Sequence, residues 1–130
     1  MFNDIYAAGL LDGEGCFGIV KAHSREHSAR VTVAMTTEPV LRWLQNTYGG
    51  AVSRRPVKEG WKPVWAWVVQ GPRAVEVARR VRPFLKVKQM PAWLLEEFSA
   101  ATKGKQGIRV TDELFALREG FKLAMHEANK

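Results

Sequence analysis

Ala7-Ala8-Gly9-Leu10-Leu11-Asp12-Gly13-Glu14-Gly15 is the stretch on which the reading of this chain turns. Ahead of it, Asn3 and Asp4 are good helix-capping residues, and Ile5 to Leu11 reads as a short helix. Asp12 to Gly15 then ends that helix, with glycines supplying the backbone freedom of a sharp exit. Gly9 and Gly13 stand four residues apart, so they share a helix face. With Ala8 beside them, they leave a surface bare enough for another backbone to approach closely. Only one such helix is present, so a two-fold dimer is expected to pack it against its own copy and bring two Glu14 side chains together.

Outward from this stretch, Cys16 to His23 reads as a strand, Ser24 to His27 as a polar turn and Ser28 to Thr36 as a second strand. In the second strand Val31, Val33 and Met35 alternate with Arg30, Thr32 and Ala34, the two-residue period of a sheet with one buried face. Thr37-Glu38-Pro39 opens a helix with a capping hydroxyl, and Val40, Leu41, Trp43, Leu44 and Tyr48 follow at helical spacing until Gly49-Gly50. A third strand spans Ala51 to Arg55 and a fourth about Val64 to Gln70. Further helices follow over Arg73 to Val81, ended by Pro83, over Pro91 to Ala101 and from Thr111 to about Met125. Lys103 to Gly107 reads as a flexible joint. Paired strands joined by short turns predict an α+β fold of order αββαββα: one antiparallel saddle of sheet with helices on one face, plus C-terminal helices over about 91–129.

The chain has 130 residues, which fits one compact domain, and its 46% hydrophobic content suffices for an ordinary core. Its formal net charge of +7 points to a polyanionic partner. Cys16 is the sole cysteine, so no intramolecular disulfide forms. Met1 to Leu11 lacks the pattern of a signal peptide, and no apolar run approaches the ~18 residues of a membrane span. A soluble intracellular protein is expected. The histidines carry no metal-site spacing, and His23, His27 and His126 read as surface or loop residues.

Ala8 to Gly15 resembles the LAGLIDADG motif of homing endonucleases: small Ala8, then Gly9, apolar Leu10 and Leu11, Asp12, an acid at Glu14 and Gly15. Ala7 replaces the usual leading leucine and Glu14 the second aspartate. The likeness continues through Cys16-Phe17-Gly18-Ile19, Trp43 and Pro83-Phe84-Leu85-Lys86-Val87-Lys88-Gln89, covering about Tyr6 to Ala101. The resemblance implies a single-motif, homodimeric enzyme that hydrolyses double-stranded DNA. Glu14 and the Gly13 carbonyl would bind divalent metal, Mg2+ or Mn2+, which suits oxygen ligands with open water positions. It places Lys88 near the scissile phosphate, where a cation stabilises developing charge. The dimer contact would fall on Ala8, Gly9, Asp12 and Gly13, with Asp12 mainly structural. The pattern departs at Thr37, where some members carry a polar amide that holds the nucleophilic water, and at Leu41, beside Arg42, where some carry an arginine.

On the open face of the sheet, alternation selects Ser28, Arg30 and Thr32 from the second strand and Ser53 and Arg55 from the third as DNA readers. Lys62 lies near a turn, suited to phosphate contact. The first strand offers only Cys16, Gly18, Val20 and Ala22 there if Phe17 and Ile19 are core. Trp65 and Trp67 share one face of the fourth strand, either core or DNA-facing, since both faces are apolar. Two other functions fit the same surface: a DNA-binding regulator without cleavage, and an RNA-splicing maturase.

Overall fold

A computed structural model describes residues 2–22, 25–103 and 109–130. The elements run α1 (Phe2–Glu14), β1 (Gly15–Lys21), β2 (His27–Met35), α2 (Glu38–Tyr48), β3 (Ala51–Arg55), β4 (Val64–Gln70), α3 (Pro72–Val81), a 3-10 turn (Arg82–Phe84), α4 (Gln89–Ala101) and α5 (Asp112–Ala128). The fold is α+β, with the expected αββαββα order followed by two further helices. All strand pairs are antiparallel, in the order β1-β2-β4-β3. Phe17, Ile19, Val31, Val33, Trp67 and Val69 form the core face of the sheet, and helical residues such as Leu11, Leu41, Leu44, Val77, Val81 and Leu95 cover it. The tryptophan question resolves toward the core: Trp67 is fully buried, its indole N–H donating to the Gly49 carbonyl at 2.8 Å, and Trp65 is partly buried against the same cluster.

Local punctuation explains most element ends. Gly49, at φ 85°, closes α2 in a conformation that other residues adopt with strain. Thr37 occupies the cap position of α2, but its side chain makes no capping hydrogen bond. Thr111 does cap α5, accepting from the Leu114 N–H at 3.1 Å. Pro83 falls in the 3-10 turn that follows α3. The joint expected at 103–107 lies, from 104 onward, outside the described residues, as does His23.

Three expectations are corrected. Helix α1 does not end in a glycine turn at Asp12. It continues through Gly13 to Glu14, and Gly9, Gly13 and Gly15 all keep negative φ. Gly15 is required for space instead: a Cβ there would lie 2.4 Å from Leu11 Cδ2 and 2.8 Å from Leu11 Cα. Ala8 faces its own core, fully buried, so it cannot line an outer dimer contact. His27 is no surface residue. Its side chain is completely buried in the first position of β2, and its Nε2 lies 2.9 Å from Glu119 Oε2 on α5. That hydrogen bond holds the Glu119 carboxyl below its usual range.

A second polar knot ties α1 to the following layer. Tyr48 Oη donates to Asp4 Oδ1 at 2.7 Å, and Arg80 Nη2 pairs with the same oxygen at 3.1 Å. Burial, reinforced by Asp4, pushes the Tyr48 phenol well above its ordinary pKa.

Candidate active site and nucleic-acid interface

The C-terminal end of α1 carries Glu14 out of the core to an exposed position. Asp12, two residues earlier, points elsewhere. Its carboxylate accepts three backbone N–H groups, from Lys86 at 2.7 Å, Val87 at 3.1 Å and Lys88 at 3.0 Å. Charge-assisted bonds of this kind are stronger than neutral ones, so Asp12 anchors the segment between the 3-10 turn and α4 onto α1. Asp12 is thus a hydrogen-bond acceptor near the helix end, with partners seventy-odd residues away rather than in that helix end.

That anchored segment delivers Lys88. Its Nζ donates to the Leu11 carbonyl at 3.0 Å and to the Gly15 carbonyl, one on each side of Glu14. An ammonium there also complements the negative end of the α1 dipole. An ammonium has three donors, so two carbonyl bonds leave one N–H for a further acceptor. Glu14, the Gly13 carbonyl and Lys88 are thus gathered at one helix end. Among the described residues, no three His, Cys, Asp or Glu side chains gather to hold a metal ion. A single chain offers Glu14 and helix-end carbonyls: hard oxygen donors of the right chemistry for Mg2+ or Mn2+, but an incomplete set.

The outer face of α1 is apolar and bare. Phe2, Ile5 and Tyr6 are exposed, and a Cβ added at Gly9 or Gly13 would meet nothing within 4 Å. Asn3, Tyr6, Pro39, Val40 and Trp43 line a shallow groove where α1 meets α2. Tyr6 stacks edge-on against Trp43, ring centroids 5.1 Å apart.

The open face of the sheet follows from the register. Arg30 pairs with Gly18 on one side and Gln70 on the other; Thr32 pairs with Cys16 and Val68; Ser28 pairs with Val20. Ser53 pairs with Ala66 and Arg55 with Val64. Ser28, Arg30, Thr32, Ser53 and Arg55 therefore share one face, opposite the buried Phe17, Val31 and Trp67, as alternation predicted. Sequence reasoning passed over Gln70, which the same alternation places on this face beside Arg30. Lys62 lies exposed in the β3–β4 loop, away from the strands.

Ion pairing divides the arginines unevenly. Arg42, Arg79, Arg80, Arg82 and Arg118, all on or beside helices, are ion-paired to acids. Among the described residues, Arg30, Arg54, Arg55, Lys58 and Lys62, on the sheet and its loop, form no ion pair. Unpaired cations on the strands and their loop suit contact with a polyanion. No helix among the described residues is long and apolar enough to cross a membrane.

No family model matches the chain. Over 50 residues it is 42% identical to the probable intron-encoded endonuclease aI2 of Debaryomyces hansenii, a stretch that is 38% of this chain and 7% of that protein. Solved structures match nearly the whole chain. The homing endonuclease I-CvuI, in complex with its target in the presence of calcium, has a TM-score of 0.72 at 19% identity, over 98% of this chain and 80% of that one. The archaeal intron-encoded homing endonuclease I-Vdi141I, complexed with DNA, has a TM-score of 0.65 at 14% identity, over 94% and 98%. The LAGLIDADG homing endonuclease I-SmaMI, bound to cleaved DNA, has a TM-score of 0.73 at 14% identity, over 98% of this chain but 45% of that one.

Proposed function

We propose that this chain, which has the fold of the LAGLIDADG homing endonucleases, is itself a site-specific endonuclease that hydrolyses double-stranded DNA as a homodimer with Mg2+ or Mn2+. The observation that carries the reading is the end of α1, where the Lys88 ammonium bonds the carbonyls of Leu11 and Gly15, the residues that bracket exposed Glu14 in sequence. Residues 1–130 act as one endonuclease domain, with α4 and α5 packed into the same core through Leu95 and Met125.

Glu14 and the Gly13 carbonyl are the metal ligands of this reading, and the bound metal would polarise the phosphate and lower the pKa of water. Lys88 is the cation beside the phosphate, its free N–H directed to an oxygen that gains charge in the transition state. Asp12 is a positioning residue that fixes the Lys88 backbone. Ser28, Arg30, Thr32, Ser53 and Arg55 read base edges, with Gln70 beside Arg30 suited to adenine and Arg30 to guanine. Lys62 contacts phosphate.

The dimer completes the site. One chain contributes one Glu14, and cutting both strands takes two. The chain corresponds to 98% of I-Vdi141I but 45% of I-SmaMI, which supports its being half of a two-part assembly. Gly9 and Gly13, flanked by Ile5 and Tyr6, form the contact, with bare backbone allowing the two α1 helices to approach closely.

The test is cleavage of a randomised double-stranded DNA library by the purified protein, with Mg2+ and with EDTA. Metal-dependent cuts clustered on one long, roughly palindromic site are expected. Salt-sensitive binding without cutting would overturn the endonuclease reading in favour of a regulator or maturase.

A further inference from the structure

We propose that the tip of the β3–β4 loop is a DNA-backbone clamp, at the end of the sheet where α1 delivers Glu14 but across the sheet from it, with Trp61 as its apolar contact and Lys58 and Lys62 as its phosphate partners. The inference rests on the endonuclease reading and adds a contact outside the sheet face.

The position of the loop follows from strand register. Gly15 pairs with Val33, Val33 with Trp67 and Trp67 with Val52, so these four residues form one row across the sheet. β3 runs past this row to Arg55, and β4 returns from Val64. The loop 56–63 therefore leaves the sheet at the end where α1 delivers Glu14, and the β1–β2 turn leaves at the opposite end.

The loop is built to present its tip. The Trp61 N–H donates to the Lys58 carbonyl at 3.1 Å, closing a four-residue turn with Gly60 at φ 84° in its third position. This turn sets Lys58 beside Trp61, its Nζ 5.7 Å from the indole centroid. Pro56 and Pro63 stiffen the two legs.

The chemistry selects the partner. Trp61 is 68% exposed, and among the described residues it is the only large exposed apolar side chain contributed by the sheet or its loops. Four exposed basic residues lie on the loop and the end of β3, Arg54, Arg55, Lys58 and Lys62, none of them ion-paired, against one acid, Glu59. A protein partner of ordinary composition would leave these charges unmatched on burial. A sugar–phosphate backbone matches both parts: phosphates for the ammonium groups and the apolar deoxyribose face for the indole.

The experiment uses the full chain and the target recovered from the library. Trp61→Ala, Trp61→Phe and the double variant Lys58→Ala/Lys62→Ala are compared with wild type. Burial of a large side chain predicts about tenfold weaker binding for Trp61→Ala, with most of the affinity restored in Trp61→Phe. The loss should be equal on the target and on sites with single mismatches, because backbone contact carries no base information. The double lysine variant should reduce the slope of log affinity against log salt by nearly two. Trp61→Ala binding within twofold of wild type, an unchanged salt slope in the lysine variant, or loss of dimer mass with DNA affinity retained would each overturn the clamp. Wild-type protein that shows no salt-sensitive DNA binding would instead bring down the endonuclease reading.

Discussion

Asp12 and Lys88 hold each other's segments in both directions. The Asp12 carboxylate accepts the Lys88 backbone N–H at 3.0 Å, and the Lys88 ammonium returns to the Leu11 carbonyl, one residue before Asp12, at 3.0 Å. Neither contact involves Glu14, yet together they hold the Lys88 ammonium at the helix end that carries it. The candidate active site is therefore a closed loop of backbone and side-chain bonds between α1 and the start of α4.

Asp12→Ala should break that loop. Three backbone N–H groups lose their acceptor, at a cost of about 1–3 kcal/mol in urea unfolding. Cleavage should fall further than DNA binding does, because Lys88 loses its fixed approach to the phosphate. Parallel binding and cleavage assays check this; equal losses in both would assign Asp12 to folding alone.

Glu14→Gln keeps the shape of the side chain and removes its charge. Cutting should disappear while DNA affinity stays within a few-fold of wild type. Lys88→Ala should slow cleavage by about 10²–10³-fold, the scale of removing one group that stabilises transition-state charge. Single-turnover cleavage with saturating protein measures both effects, and undiminished cutting by Glu14→Gln would sink the metal-site assignment.

Gly9 and Gly15 of the motif should respond differently to substitution. Gly9→Leu adds a side chain into open space on one chain, so the monomer should fold while light scattering reports half the mass. Gly15→Ala forces a Cβ against the Leu11 backbone and should cost about 1–3 kcal/mol, the range for overpacking. An unchanged mass for Gly9→Leu would count against the α1–α1 contact.

Acid stability should depend on Glu119. Its folded pKa is depressed by the hydrogen bond from buried His27, so its contribution is present above the ordinary carboxylate pKa of about 4.3. That contribution is lost as pH falls through the lower folded value. Glu119→Gln should therefore flatten the acid limb of the stability curve below about pH 4 relative to wild type. Urea midpoints collected across that window provide the check.

The sequence by itself determined the features that depend on neighbours along the chain. Alternation at Ser28, Arg30 and Thr32 assigned them to one sheet face, because side chains on a strand alternate whatever the sheet packs against. Pro39, Gly49 and Pro83 marked helix ends through their own backbone preferences. The motif at Ala8 to Gly15 carried the fold through resemblance. Only the tertiary structure decided the rest. A period of two says that Trp65 and Trp67 share a face, but the helices covering the sheet decide that this face is core. Ala8 and Gly9 are adjacent small residues that look equivalent in the sequence, and only the direction in which α1 packs buries one and exposes the other. The partners of Asp12 and the burial of His27 depend on segments more than seventy residues away. Such contacts are set by how the layers pack, and local propensity carries no information about them.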